Sequence, residues 1–216
     1  MTDAELDDER DPDVVLARIG GLDGLAEMTR RVREDRGLTR TQLAERVGRK
    51  PKFIEQIENA RAAANAHVLT VTLLARAGEV SVGLFVASYA RPREDPLPWP
   101  RERRPASAGV TAPHDRSLGA AALGATLREL RVQQKGWPQR ELAERTKMNQ
   151  RYLSALEIGR VPNPLLLTIT RLGRAFGDTP ATQIAYATRL AQAYAGEIDA
   201  PPLGRPYAGW ARRPTS

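Results

Sequence analysis

The sequence predicts an all-α fold of two tandem five-helix domains, and three observations carry that prediction. First, residues 37–61 (GLTRTQLAERVGRKPKFIEQIENAR) and 136–160 (GWPQRELAERTKMNQRYLSALEIGR) align without a gap at an offset of 99. Seven positions are identical: Gly37/Gly136, Leu43/Leu142, Ala44/Ala143, Glu45/Glu144, Arg46/Arg145, Glu58/Glu157 and Arg61/Arg160. That spacing exceeds the roughly 20–50 residues of a solenoid repeat, so it means two small domains of one kind. Second, both copies break into short segments with helical apolar spacing and recognisable caps. Third, the stretch between them is rich in proline and charge and lacks apolar periodicity, the mark of a linker. The expected organisation is an acidic tail over 1–20, a first domain over 21–90, a Pro/Arg-rich linker over 91–116, a second domain over 117–195 and a disordered tail over 196–216.

In the first copy, Leu22, Leu25, Ala26, Met28, Thr29 and Val32 form the stripe of a first helix that stops before Gly37. Thr39 followed by Gln42 is a capping box, in which each side chain satisfies a backbone N–H that the helix start leaves orphaned. The second helix it opens should run through Val47, with Gly48 supplying a left-handed stop. Pro51 fits the first position of a third helix, which buries Ile54 and Ile57. A fourth helix is expected after Asn65, carrying Val68, Val71, Leu74 and Ala75, and a short apolar piece over 82–89 closes the domain. Ala60 stands where the second copy has Gly159, and avoiding a left-handed alanine would shift that turn to Asn59.

The second copy follows the same plan. Leu123, Leu127 and Leu130 line helix one, helix two begins near Pro138, and Asn149 caps helix three. Asn163 and Pro164 read as cap and first position of helix four, and Thr179 and Pro180 as those of a longer fifth helix. Helix one carries an extra residue here, in the ValGlnGlnLys that follows Arg131.

The charge balance favours a polyanionic partner. Net charge is +7 and the sequence pI about 10.2. Residues 1–13 hold seven acids and one base, so the remainder concentrates 32 bases against 19 acids. Cysteine is absent, which excludes disulfides and thiolate metal sites. The two histidines lie apart, His67 expected on a helix surface and His114 in the linker, and no metal site is expected. No Ser–His–Asp grouping, carboxylate pair in an apolar pocket or glycine-rich phosphate loop appears, so the chain reads as no enzyme and as needing no cofactor. No apolar run approaches the ~18 residues of a membrane span. A cytoplasmic, nucleoid-associated protein is the expectation.

Gly136, Gln139, Leu142, Ala143, Leu153, Leu156, Glu157, Gly159 and Arg160 meet almost in full a pattern of Gly–Leu–Ser/Thr–Gln–x–x–Leu–Ala, a turn, and a helix ending Leu–Glu–x–Gly–Arg. With the IleGluGlnIleGluAsn of 54–59, this resembles the phage repressor/Cro (XRE-type) helix-turn-helix regulators, in two copies covering roughly 22–89 and 118–195. The resemblance implies tandem lambda-repressor-like domains and a sequence-specific, double-stranded DNA-binding transcriptional regulator of bacterial or phage type. Helix three of one or both domains would enter the major groove, which is about 12 Å wide and carries a distinguishable donor and acceptor code.

The resemblance carries site residues over position by position. In copy two, Asn149, Gln150, Arg151 and Ser154 would face the groove, with Gln150 suited to adenine and Arg151 to guanine. Gln139, Arg140 and Arg160 complete that set, Gln139 at the position that anchors helix two to the phosphate backbone. Copy one offers Lys50, Lys52, Glu55, Gln56, Asn59 and Arg61, with Thr41 and with Arg40 where the family has glutamine. Glu58 and Glu157 are expected to pair with Arg33 and Arg131 of helix one rather than touch DNA. The two reading faces differ, so an asymmetric site fits better than a palindrome.

A linker of this length has a typical span of about 30 Å, close to the ~34 Å between adjacent half-sites. The domains are therefore expected to act as tethered modules. A homodimer through the fifth helix (Ala181, Ile184, Ala185, Thr188, Ala191) is compatible with this reading and with the alternative that follows. The alternative is a protein-interaction adaptor, antirepressor or antitoxin-like, with Phe85, Tyr89, Trp99 and Trp210 as exposed anchors.

Overall fold

The computed structural model describes residues 12–60, 66–90 and 115–199. Among the described residues, ten α-helices form two five-helix lobes. The first lobe contains α1 (Pro12–Asp35), α2 (Arg40–Val47), α3 (Pro51–Glu58), α4 (Val68–Ala77) and α5 (Val82–Ala90). The second contains α6 (Arg116–Glu129), α7 (Gln139–Thr146), α8 (Gln150–Glu157), α9 (Leu166–Phe176) and α10 (Pro180–Ala195). Tandem five-helix domains are what the repeat predicts. The helix α1 is described from Pro12 on, inside the segment expected as an acidic tail.

Local signals set most helix ends. Thr39 accepts from the Gln42 N–H at 3.2 Å while the Gln42 side chain accepts from the Thr39 N–H at 2.8 Å. Pro51 opens α3, Asn149 accepts from the Arg151 N–H at 2.7 Å, and Thr179 and Thr182 form a second capping box at α10. The extra residue of copy two is absorbed as a π-helical turn over Leu130–Gln134, closed by the Lys135 N–H on the Leu130 carbonyl at 3.2 Å. That turn restores register: Trp137 N–H meets the Arg131 carbonyl at 2.9 Å, as Leu38 N–H meets that of Arg33 at 2.9 Å.

Four expectations are corrected. Asn59 does not take the left-handed turn; Ala60 does, at φ +55°. Its counterpart Gly159 holds the same conformation at φ +71°, so the shared α3/α8 exit geometry outweighs the alanine strain, of order 1 kcal/mol. Asn163 and Pro164 do not begin a helix; α9 begins at Leu166 behind Leu165, because Asn163 is turned to the other lobe. His67 is not on a helix surface but half-buried just before α4, with its ring Nδ1 2.9 Å from the Asn163 carbonyl oxygen. Phe85 and Tyr89 are buried rather than exposed, because α5 lies between α1 on one side and α10 on the other. Asn65, Trp99, His114 and Trp210 lie outside the described residues.

The buried side chains form one apolar cluster running through both lobes. Leu25, Met28, Leu43, Ile54, Leu74 and Phe85 fill the first half of it, and Leu123, Leu127, Leu142, Leu153, Ile169 and Phe176 the second. Each such side chain contributes about 1.5–3 kcal/mol by leaving water.

Lobe meets lobe through main chain as well as side chains. Val68 N–H donates to the Pro164 carbonyl at 3.0 Å and Leu166 N–H to the Ala66 carbonyl at 2.7 Å, with His67 and Leu165 paired as an antiparallel bridge. Asn163 Oδ1 accepts from the Leu69 N–H at 3.2 Å, capping α4 from across the interface. Glu197 does the same for α5, accepting from the Val82 N–H at 2.7 Å and from Ser81 Oγ at 2.6 Å. Gly83 lets α10 approach, since a Cβ there would sit 2.7 Å from Thr188 Cγ2. The α10 stripe expected to make a homodimer is therefore partly committed within the chain: Thr188 faces Gly83 and Ala191 is buried, while Ala181 and Ala185 remain exposed and Ile184 half-buried.

Candidate nucleic-acid interface

Three residues separate α2 from α3, and three separate α7 from α8. Gly48 (φ +68°) and Lys147 (φ +51°) make the same left-handed turn at equivalent positions. The next N–H in each, of Arg49 and Met148, closes on the carbonyls of Ala44 at 2.8 Å and Ala143 at 3.0 Å. These are the satisfied helix ends of a Schellman turn. Leu43 and Ala44, like Leu142 and Ala143, are buried, and the small alanine permits the close crossing.

A buried carboxylate ties the third helix to the first two in each lobe. Glu58 accepts from Arg33 Nε on Oε1 and from Arg40 Nε on Oε2, both at 2.6 Å. Arg30 adds a bond to the Glu58 main-chain carbonyl at 3.0 Å. In the second lobe Arg131 grips Glu157 with two parallel bonds, Nε–Oε1 at 2.5 Å and Nη2–Oε2 at 2.9 Å. The fork geometry of arginine suits such bidentate pairing. Gln139 donates to Glu157 Oε2 at 2.7 Å from the position that Arg40 holds in the first lobe. The expected Arg33–Glu58 and Arg131–Glu157 pairs are present. Arg40 and Gln139, expected at the phosphate backbone, each have a nitrogen committed to the carboxylate. Arg40 stays 47 % exposed, and the hydrogen bond to Glu58, reinforced by that carboxylate's charge, raises its pKa further above the ordinary arginine value.

Two positive charges flank one negative at Glu58, whereas Glu157 has one positive and one neutral partner. The first lobe thus carries an extra positive charge at the start of α2.

The predicted reading residues fall on the outward faces. Lys50, Lys52, Glu55, Gln56 and Asn59 are exposed on α3 and its ends, and Thr41 on α2. Asn149, Gln150, Arg151 and Arg160 are exposed around α8, Ser154 is half-buried, and Arg140 is exposed but paired with Glu144 at 2.9 Å. Lys50, Lys52, Arg151 and Arg160 enter no ion pair among the described residues. Arg61 lies outside them. Lys52 and Arg151 occupy equivalent positions, but Glu55 stands where the second lobe has Ser154, Gln56 where it has Ala155, and Asn59 where it has the 55 % exposed Ile158.

Sequence reasoning missed the turn residues Arg49 and Lys147, both exposed just before the third helix. The signal was available, as a basic residue in each three-residue turn. It also overcounted the basic surface. Arg36 and Arg46 bond the carbonyls of Gly78 at 2.8 Å and Ala77 at 3.2 Å, which end α4.

Among the described residues no group of three or more His, Asp or Glu could hold a metal, and no helix is long and apolar enough to cross a membrane. A family model described as a helix-turn-helix domain matches residues 25–81 and again 122–195, together more than half of the chain. No curated protein and no solved structure matches it.

Proposed function

Because this chain belongs to the helix-turn-helix domain family, we propose that it is a sequence-specific, double-stranded DNA-binding transcriptional regulator of the phage repressor/Cro type. It reads the major groove with α8, with α3, or with both. The observation that carries this reading is the division of α8 between its two faces. Leu153 and Leu156 are buried and Glu157 is locked to Arg131, while Gln150 and Arg151 project from the first turn into solvent.

The Asn149 cap orders that first turn before any partner arrives. Arg151 can then present two donors to guanine N7 and O6, and Gln150 a donor and an acceptor to adenine. The helix N-terminus adds a favourable dipole toward phosphate. In the first lobe, Arg40 keeps exposed guanidinium surface beside the start of α2 and supplies charge without base preference. Lys50 and Lys52 do the same for α3. The adaptor reading loses its two described anchors, Phe85 and Tyr89, to the core.

The test is selection of bound duplexes from a random pool, followed by Arg151→Ala. Affinity for the selected site should fall by about 1–3 kcal/mol, with relaxed preference at one base pair only. Lys52→Ala should weaken binding across sequences and flatten the salt dependence. Unchanged binding by both variants would rule out α3 and α8 as the reading helices.

A further inference from the structure

The reciprocal bonds between the lobes have a property that two tethered beads would lack. Helix α4 starts at Val68 and its counterpart α9 at Leu166, so Ala66 corresponds to Pro164, His67 to Leu165 and Val68 to Leu166. Val68 N–H bonds the Pro164 carbonyl, and Leu166 N–H bonds the Ala66 carbonyl. Exchanging equivalent residues between the lobes turns each of these two bonds into the other. That is the signature of a two-fold, isologous contact, here within one chain. The helices obey the same relation: α5 packs on its own counterpart α10, and the contact of α4 with α10 is matched by that of α9 with α5.

We propose that the two lobes form a covalent pseudo-dimer, and that one chain reads one bipartite, non-palindromic duplex site whose half-site spacing is set by the lobe–lobe contact. The duplex part rests on the function proposed above. A free tether of the length of 91–114 would tolerate many separations between half-sites. The lobe contact leaves no such freedom. It consists of main-chain bonds, a shared apolar cluster and two helix caps, Asn163 on α4 and Glu197 on α5, supplied by the second lobe to the first. Adding one base pair between half-sites turns one reading surface by about 35° around the duplex, given ~10.5 base pairs per turn. A fixed pair of lobes cannot follow that rotation.

The two surfaces also differ along their lengths. Lys52, Glu55, Gln56 and Asn59 stand in α3 and its exit where Arg151, Ser154, Ala155 and Ile158 stand in the second lobe. Two copies of one half-site would satisfy only one lobe well.

The first experiment needs no DNA. A protease recognition sequence is placed within 91–114 and cut after the chain has folded. The nicked halves should elute together in gel filtration at the size of the intact chain. Adding Asn163→Ala with Glu197→Ala, and separately Gly83→Val, should divide the nicked protein into two smaller species. Separation of the unmutated halves would overturn the pseudo-dimer whatever the chain binds.

The second experiment takes the selected duplex and varies the gap between its halves one base pair at a time. The natural chain, and a chain with about ten Gly/Ser residues added within 91–114, should prefer the same gap. Each should lose at least about tenfold in affinity when the gap changes by one or two base pairs, and each should bind one chain per duplex. A preference that broadens with linker length, or two chains per duplex, would overturn the fixed-spacing reading. If no duplex is selected while the nicked halves stay together, the DNA reading falls and the fused pair stands.

Discussion

Glu157 shows how much one buried charge depends on its neighbours. Its side chain is 4 % exposed, and both oxygens are occupied by Arg131, with Gln139 on the second. Removing one partner of such a pair strands the other away from water. Glu157→Gln should therefore destabilise the protein by about 3–5 kcal/mol in urea unfolding, while Arg140→Ala, in an exposed pair with Glu144, should change it by less than about 1 kcal/mol. Equal small effects would mean that the carboxylate is not sealed. Ala60 tests the opposite sign. It holds φ +55°, a conformation that a Cβ disfavours, so Ala60→Gly should stabilise by about 0.5–1 kcal/mol, read as a raised denaturation midpoint. At this scale the sequence was partly legible. The glutamate pairs came from the family resemblance, and apolar spacing alone had no way to find them. The left-handed alanine was weighed wrongly, because intrinsic preference is local while the position of that turn is held by α3 on one side and by helix crossings on the other.

Among the helices, α10 is the one on which the second lobe's interface loop rests. Tyr194, near its end, donates to the Pro162 carbonyl at 2.7 Å, one residue before Asn163. Burial pushes this phenol up from 10.0 to about 12, with Arg116 pulling weakly the other way. A pKa raised on folding means that the native state favours the neutral phenol. Its contribution is complete below about pH 10 and is lost as the pH climbs through about 12. Stability measured against pH should show that alkaline loss, and Tyr194→Phe should remove the Tyr194 share of it. Helix ends divided cleanly into legible and illegible. The starts of α2, α3, α8 and α10 were readable because cap and helix are adjacent in sequence. The caps of α4 and α5 were not, because Asn163 and Glu197 reach them from 94 and 115 residues away. The apolar character of α5 was read as an exposed anchor, since a helix covered on two sides has no polar face to betray its burial.

For the whole molecule, the repeat disclosed two domains of one kind but not their arrangement. Proline and charge in 91–116 pointed to independent modules, and nothing local in either copy announces that Ala66 and Leu166 will share a hydrogen bond. Such a contact becomes visible only when equivalent positions are compared in space. Basic composition was a correct pointer to charge but a poor map of it, with Arg33, Arg36, Arg46 and Arg131 spent on carboxylates and helix ends.

Writing both halves of such a pair into one reading frame changes what a point mutation does. In an assembly of identical subunits, any alteration of a contacting side chain occurs twice, and a matched target must alter in two places at once. Here Lys52 and Arg151 are separate codons, so on the proposed function either surface can drift toward a new preference while its neighbour keeps the protein anchored to the old one.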